Sequence, residues 1–131
     1  MKLFVLTNHD VTPEQQLSVH NELGTDEIVE LPVALKNAWG TVPPEVESLS
    51  GYVRPFIEWL ESEISVGDAV WVQGEWGSTV SVLDWCRSKR IRCVYSTTAR
   101  VAHEEKMPDG SYKMTHVFKH VRFRDYPQSR S

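Results

Sequence analysis

The sequence has little cysteine, with only Cys86 and Cys93 among its 131 residues. Neither belongs to a Cys-x-x-Cys motif or lies near histidines at metal-ligand spacing, so the pattern disfavours a disulfide framework and a zinc site. One cysteine ends an expected helix and the other lies in an expected strand. We therefore expect two buried thiols that behave as small apolar side chains. Such cysteines are typical of a reducing compartment, and the cytoplasm is the expected location.

Long hydrophobic runs are also absent. The apolar stretch at 3–6 is too short for a signal peptide, and nothing approaches the length of a membrane-spanning helix. The Gly-Lys-Ser/Thr element of a Walker A loop and the Gly-x-Ser-x-Gly element of a serine hydrolase are missing. These absences disfavour a membrane partner, a P-loop nucleotidase and an α/β-hydrolase. No metal and no cofactor are expected.

Charge of both signs is present, but its distribution is uneven. Residues 1–86 carry 3 Lys or Arg and 14 Asp or Glu, a net charge of −11. Residues 87–131 carry 11 Lys or Arg and 4 Asp or Glu, a net charge of +7. This asymmetry favours either an anion-binding face or pairing between the acidic and basic parts of the chain. The length and the 40% of hydrophobic residues fit one domain with its own core.

Short apolar runs, each ended by polar residues, predict four buried parallel strands. These are Leu3–Leu6, Ile28–Leu31, Ala69–Gln73 and Ile91–Tyr95. The intervening segments 12–24, 33–39, 45–49, 52–64 and 78–88 are expected to be helical, the third for a single turn. Thr12-Pro13-Glu14-Gln15 carries the signals of a capping box, and Ser78 or Thr79 is expected to cap the last helix. Leu17 and Leu23 are expected near one face of the first helix. The buried face of the last helix is expected to carry Val80, Leu83 and either Val82 or Cys86.

The pattern becomes antiparallel after Ser96. Strands at 101–107 and 112–118, joined by Pro108-Asp109-Gly110-Ser111, predict a hairpin. Alternation over 116–124 places Val117, Val121 and Phe123 on one face, and the histidines and arginines with Phe118 on the other. Strands that alternate with helices predict a Rossmann-like three-layer α/β domain over residues 1–126, with a mainly parallel sheet and a C-terminal antiparallel hairpin. Residues 127–131 are expected to form a flexible tail.

Two loops are expected to meet where the strand order of such a sheet reverses, because ligands bind there beyond the carboxyl ends of the strands. The loop after the first strand contains Thr7, Asn8 and His9, which suit either a ligand contact or a capped turn. The loop after the third strand offers glycines, hydroxyls and a helix N-terminus for a phosphate. Its candidate ligand-binding residues are Gly74, Glu75, Trp76, Gly77, Ser78 and Thr79. A tight turn with an ordinary cap is the alternative interpretation.

Hydroxyls and cations in the basic third of the chain supply the remaining candidates. Thr97 and Thr98 with Arg100 suit phosphate or ribose recognition, or a polar turn. A denser group holds two imidazoles among several cations, and its candidates are His116, Lys119, His120 and Arg122. Such a group binds a polyanion, stabilises a charged transition state and moves protons. Edge strands also carry cations simply to prevent aggregation.

Several motifs together resemble the small CRISPR-associated Csx proteins, most closely the type numbered twenty. The segments are 2–9, 31–32, 43–45, 73–77, 95–98 and 115–124. The resemblance implies a stand-alone CARF-like domain that forms a homodimer and binds cyclic tetra-adenylate, the second messenger of type III CRISPR systems. Related proteins are ring nucleases, which cleave this messenger and switch off the antiviral response.

The reaction implied by the resemblance needs no metal. A ribose 2′-hydroxyl attacks the adjacent phosphate and leaves linear di-adenylate with a 2′,3′-cyclic phosphate. As hypotheses for this chemistry we assign ribose orientation to Asn8 and His9, and transition-state stabilisation to Lys119 or His120. One alternative is a non-catalytic sponge or sensor of the same messenger. Another is a small RNA-binding α/β module, although no long nucleic acid is required as a partner.

Overall fold

The computed structural model describes residues 1–127, so most of the expected tail at 127–131 lies outside the described residues. The strands are β1 (Leu3–Leu6), β2 (Ile28–Glu30), β3 (Ala69–Val72), β4 (Arg92–Lys106) and β5 (Tyr112–Asp125). The α-helices are α1 (Pro13–Ser18), α2 (Val33–Trp39), α3 (Ser50–Glu63) and α4 (Trp76–Ser88). All five of these strands belong to one mixed sheet.

The strand order is β2-β1-β3-β4-β5, and it reverses between β1 and β3. β1 pairs in parallel with both β2 and β3, and β3 pairs in parallel with β4. Only β5 runs antiparallel, at the edge beside β4. The prediction of an α/β fold with a mainly parallel sheet and a C-terminal antiparallel hairpin is therefore confirmed. The reversal places the carboxyl ends of β1 and β3 side by side, as the site prediction required.

Both faces of the sheet are covered, which explains why β1 and β3 are apolar throughout. Phe4 and Leu6 face a core that includes α2, α3 and α4, where the rings of Trp39 and Phe56 meet edge-on with centroids 5.1 Å apart. Leu3 and its alternate neighbours face a second core, closed by residues that follow α1. The domain thus has three layers, and the two cores hold the central strands rigidly.

The cysteines and the membrane expectation can be checked directly. Cys86 and Cys93 are both free and buried, as expected. Among the described residues, no helix combines the length and the apolar character needed to cross a membrane.

The first helical segment agrees with its capping signals but not with its predicted buried face. Thr12 and Gln15 form the full capping box, and Gly24 ends the segment at φ 72°. Between them, α1 gives way to a π-helical turn over Val19–Leu23. The π-helical turn has an extra residue per turn, and its buried residues are Val19 and Leu23. Leu17 is 62% exposed, so the prediction that it shares a face with Leu23 is wrong.

Two helix predictions near the middle of the chain are wrong, one about whether a helical turn forms and one about where a helix begins. Residues 45–49 form no helical turn, because five residues are too few to offset the cost of helix nucleation. α3 begins at Ser50, two residues before the predicted start. Neither change moves the apolar face of α3, since Val53, Phe56 and Leu60 are buried.

The hairpin is longer than predicted and contains an irregularity. The separate strands predicted at 91–95 and 101–107 are one continuous strand, β4. A register shift pairs Thr97 with Arg122 but Thr98 with His120, so Val121 is the extra residue of a β-bulge. The bulge reverses the alternation, and the prediction that His120 and Phe123 lie on opposite faces is wrong. Their rings are 4.9 Å apart.

Beyond the body of the sheet, β4 and β5 continue as a two-stranded ribbon, defined here as residues 98–120. The last residue of β4 paired with β3 is Val94, so the ribbon has no neighbouring strand on the β3 side. Its exposed large apolar side chains are Val101, Tyr112, Met114, Val117 and Phe118. An isolated two-stranded ribbon is only marginally stable in water, and this one leaves its apolar side chains exposed to solvent.

Candidate functional site

A crevice of about 260 Å³ opens at the carboxyl ends of β1 and β3, beside Ser96 and Thr98 of β4. Its lining residues are Thr7, Asn8, His9, Asp10, Gln15, Trp71, Gln73, Gly74, Ser96 and Thr98. The turn after β1 and the turn after β3 therefore contribute to a single crevice, as the sequence predicted. Of the predicted site residues, Thr7, Asn8, His9, Gly74 and Thr98 line it directly.

The turn after β1 is fixed in shape by its own contacts. The Thr7 hydroxyl donates to the His9 carbonyl at 3.1 Å. Asn8 packs so tightly on Gly40 that a Cβ added there would lie 2.7 Å from the Asn8 Cβ. Lys36 donates to Asp10 at 2.8 Å, and this hydrogen bond lowers the pKa of the Asp10 carboxyl below its usual value. The side chains of the turn are thus held in place before any ligand arrives.

Gln73 forms the floor of the crevice and was not among the predicted site residues. Its side-chain oxygen accepts from the Ser96 backbone N–H and from the Trp71 indole, both at 2.7 Å. Its carbonyl accepts from the Trp39 indole at 2.8 Å. Gln73 thereby joins β3 to β4 where the parallel ladder ends. The sequence signal that could have identified Gln73 is its position as a polar residue at the end of an apolar strand.

Ser96 and His120 form the one hydroxyl–imidazole pair recorded between side chains within residues 1–127. The Ser96 Oγ lies 2.5 Å from the His120 Nδ1, and Ser96 lines the crevice. The His120 Nε2 is buried without a hydrogen-bond partner among the described residues. Burial lowers the pKa of His120, against the opposing effect of Glu22 and Glu14. A neutral imidazole bonded to a hydroxyl can accept a proton through that hydroxyl.

The N-terminus of α4 does not provide the predicted phosphate position. α4 begins at Trp76 and is capped by Glu75, so the predicted cap at Ser78 or Thr79 is wrong. The Glu75 carboxylate accepts from the backbone N–H groups of Gly77 and Ser78, each at 2.9 Å. These hydrogen bonds lower the pKa of Glu75. An internal anion therefore occupies the donors that a phosphate would need.

Both glycines of this loop pack closely against neighbouring side chains. A Cβ on Gly74 would lie 2.5 Å from the Trp39 Nε1, and a Cβ on Gly77 would lie 2.5 Å from the Leu49 Cδ1. Trp76 is exposed but does not line the crevice. On α4 itself Leu83, Val82 and Cys86 are buried as predicted, whereas the prediction that Val80 is buried is wrong, since it is 52% exposed.

The remaining predicted residues lie along the ribbon and its root. Thr97 donates its hydroxyl to the Arg122 carbonyl at 2.8 Å, one register position from the crevice. Arg100 lies opposite Phe118, beyond Thr98 on the face that continues from the crevice. His116 lies farther out, opposite Ala102, and Lys119 lies opposite Ala99 on the other face. His120 alone of this group reaches the crevice, through Ser96.

The crevice is rich in groups that form hydrogen bonds and poor in charge. It presents hydroxyls from Thr7, Ser96 and Thr98, the Asn8 amide and the His9 imidazole. This inventory suits a ribose and allows proton transfer. Within residues 1–127, no group of three or more His, Cys, Asp or Glu side chains is placed to hold a metal ion.

Comparisons with known proteins identify relatives without a described activity. The model of the family described as "Uncharacterized protein MJ1673 family" matches residues 1–124. The chain is 34% identical over 125 residues to the "Uncharacterized protein MJ1673" of Methanocaldococcus jannaschii, which covers 95% of this chain and 96% of that protein. No solved structure matches. Every residue that lines the crevice lies within the matched region.

Proposed function

We propose that this chain, which belongs to the MJ1673 family, is a ring nuclease that binds cyclic tetra-adenylate in the crevice and cleaves it without a metal. The observation that carries the proposal is the convergence of the Asn8 turn, the Gln73 floor and the Ser96–His120 pair in one crevice. A CARF-like fold and a role in ending a type III CRISPR response are part of the same proposal. The strand order, with a ligand crevice at its reversal, supports it.

The Ser96–His120 pair supports a role as the base. The 2′-hydroxyl of a bound adenosine gives its proton to the Ser96 hydroxyl, which passes its own proton to the His120 Nδ1. The 2′-oxygen then bonds to the adjacent phosphorus, and the bond from phosphorus to the 5′-oxygen breaks. His9 protonates the departing 5′-oxygen. The products are a 2′,3′-cyclic phosphate and a 5′-hydroxyl, and two such cuts convert the ring into two linear di-adenylates.

The size of the crevice supports a homodimer. About 260 Å³ falls below the range of roughly 300–1,000 Å³ typical of sites for whole small ligands. One crevice therefore holds part of the ring, and a ring with two-fold symmetry fits across two identical copies. The exposed apolar side chains of the ribbon, including Val117 and Phe118, are the proposed contact between the copies.

The poverty of cations in the crevice favours a second candidate function. A phosphorane is stabilised by nearby cations or N–H donors, and within residues 1–127 His9 is the only basic side chain that lines the crevice. The same pocket could therefore hold the ring without cleaving it, as a sponge does. A third candidate, binding of single-stranded RNA, is favoured by the pairing of Arg100 with Phe118 on the ribbon, since cations beside aromatic rings stack and hold bases.

Incubation of the full chain with labelled cyclic tetra-adenylate, with EDTA present, tests these functions together. Di-adenylate with a cyclic phosphate supports the nuclease, and tight binding of an intact ring supports the sponge. Equal affinity for linear tetra-adenylate, with a steep salt dependence, supports the RNA-binding module. His120→Ala should lower the single-turnover rate by about 10²–10⁴-fold with little change in ring affinity. His116→Ala is the matched control, because this imidazole lies out on the ribbon.

The pH dependence of cleavage sharpens the role of His120. A base acts only when neutral, and burial lowers the pKa of His120. The rate should therefore persist below the pH at which an ordinary imidazole becomes protonated, and should fall only as the pH passes through the lowered value. The rate should be followed as the pH is lowered from neutral. A rate that begins to fall while the pH is still well above 6.5, the ordinary imidazole value, would exclude His120 as the base.

A further inference from the structure

A second cavity, larger than the crevice, lies at the opposite end of the parallel strands. Its volume is about 450 Å³, and it opens where α4 ends and β4 begins. Three guanidinium groups line it, from Arg87, Arg90 and Arg92. We call this cavity the arginine pocket. None of its lining residues lines the crevice, so its ligand is independent of the function proposed above.

All three guanidinium groups retain unused N–H donors, since each carries five. Arg92 donates from its Nε and Nη2 to the Asp125 carboxylate at 2.6 and 3.2 Å. That pair also neutralises the only carboxylate that lines the pocket. Arg87 donates from its Nη2 to the Pro127 carbonyl at 2.6 Å, and its Nη1 lies 3.8 Å from the Asp84 carboxylate. Arg90 has no recorded side-chain partner within residues 1–127. The pocket therefore keeps a net positive charge.

Arg90 occupies a position where an arginine is unfavourable for the backbone. It follows the Lys89 C-cap of α4 and has φ 57°, the left-handed conformation that glycine normally supplies after a helix. It is the only residue other than glycine with positive φ among residues 1–127. A strained residue in a cavity is a reason to look for a function of its side chain.

The other walls of the pocket are apolar and aromatic. Leu83 and Ile91 line it together with the ring of Tyr126. The Tyr126 hydroxyl donates to the Val72 carbonyl at 2.5 Å, and its ring lies 4.6 Å from that of Tyr95. Burial raises the pKa of Tyr126 to about 12, so the phenol is neutral at physiological pH. A fixed aromatic wall beside two cations suits a planar group that carries an anion.

We propose that the arginine pocket binds a nucleoside monophosphate, with the phosphate on Arg87 and Arg90 and the nucleobase against Tyr126. The volume lies within the range of small-ligand sites, about 300–1,000 Å³. Guanidinium groups match the geometry of phosphate oxygens, and a phosphomonoester needs more than one cation. A simple carboxylate would leave the aromatic wall uncovered.

Calorimetric titration of the full chain with AMP tests this proposal, with adenosine and inorganic phosphate as comparison ligands. AMP should bind more tightly than either fragment. Arg90→Gly should weaken AMP binding by about tenfold or more, the usual effect of losing a charged hydrogen bond. The same substitution should keep or raise the thermal midpoint, because glycine relieves the left-handed strain. A purely structural role for Arg90 predicts no loss of AMP binding.

Two controls separate the pocket from its surroundings. Lys89→Gln removes a neighbouring exposed cation and should leave AMP affinity within about twofold, since nonspecific attraction is weak at physiological salt. Ser96→Ala alters the crevice and should leave AMP affinity unchanged. The proposal is overturned if AMP does not bind, if Arg90→Gly binds AMP normally, or if Ser96→Ala weakens AMP binding as much as Arg90→Gly does.

Discussion

The body of the sheet and the ribbon are built from the same chain but place their side chains in opposite environments. All 4 residues of β1 and all 4 of β3 are buried. β4 is buried at Cys93, Val94 and Ser96, and its residues from Thr98 to Lys106 are exposed. The body thus completes its own core, whereas the ribbon keeps apolar side chains in solvent. The body is therefore the part of the sheet that buries its apolar side chains, and the ribbon is the part that leaves them exposed.

The largest expected difference between the two regions comes from the same substitution made in each. Phe56 is 1% exposed in the core and Phe118 is 70% exposed on the ribbon. Phe56→Ala should lower the free energy of unfolding by about 3–5 kcal/mol, the usual cost of removing a buried phenyl ring. Phe118→Ala should change it by less than about 0.5 kcal/mol. Urea unfolding at a concentration where the chain is monomeric measures both, and equal losses would place the ribbon within the core.

A second pair of substitutions compares two glycines. Gly74→Ala places a Cβ 2.5 Å from the Trp39 indole nitrogen and should cost about 1–3 kcal/mol of unfolding free energy by overpacking. Gly110 has φ 87° but open space around it, so Gly110→Ala should strain only the tip of the ribbon. Thermal unfolding should therefore shift for Gly74→Ala. Hydrogen exchange should change only near the tip for Gly110→Ala. A neutral Gly74→Ala would show that Trp39 moves easily.

The smallest expected difference involves two carboxylates that accept backbone N–H groups. Hydrogen bonds from Gly77 and Ser78 lower the pKa of Glu75, and hydrogen bonds from Ser111 lower that of Asp109. Glu75→Ala should cost about 1 kcal/mol at neutral pH, as for other lost helix caps. A lowered pKa stabilises the fold above the unfolded-state value, so the cost should vanish as the pH falls through the acid range.

Asp109→Ala is the matched control for this cap. Its carboxylate accepts hydrogen bonds from the Ser111 backbone N–H at 2.9 Å and from the Ser111 hydroxyl at 2.5 Å. Both hydrogen bonds lie within the hairpin turn and connect it to no other part of the chain. The urea midpoint of this variant should equal that of the wild type at every pH. A shared pH-dependent loss in both variants would contradict the separation of body and ribbon.

The sequence was sufficient to predict the body, because each central strand is an apolar run bounded by polar residues. The same logic correctly brought Asn8 and Gly74 together, since the ends of β1 and β3 share one edge. It could not predict that Glu75 caps α4, because a carboxylate before a helix is equally an exposed charge. It could not predict the packing of Gly74 against Trp39 either, because Trp39 lies 35 positions away in the sequence.

The ribbon was predicted in outline but not in register. The prediction used the alternation of side chains along one strand. A bulge depends on how two strands pair, and the periodicity of one strand does not reveal that pairing. The shift between Thr97 and Thr98 turned His120 toward Ser96 and left Lys119 on the other face. His120 thus has a hydrogen-bond partner, Ser96, that the sequence did not predict. A homodimer that would bring ribbon cations to a second crevice stays a prediction.

The unbroken course of β4 has a consequence for how this family can vary in length. Side chains alternate with a period of two, so lengthening each arm of the hairpin by two residues near Gly110 would preserve every side-chain direction at Ser96 and His120. Lengthening each arm by one residue would reverse the side-chain directions of the residues beyond the insertion. Ser96 and His120 would keep theirs, because both lie at the root of the ribbon, on either side of the bulge. We therefore expect relatives to tolerate insertions of two residues per arm at the tip. Such insertions lengthen the ribbon and leave the side-chain directions at Ser96 and His120 unchanged.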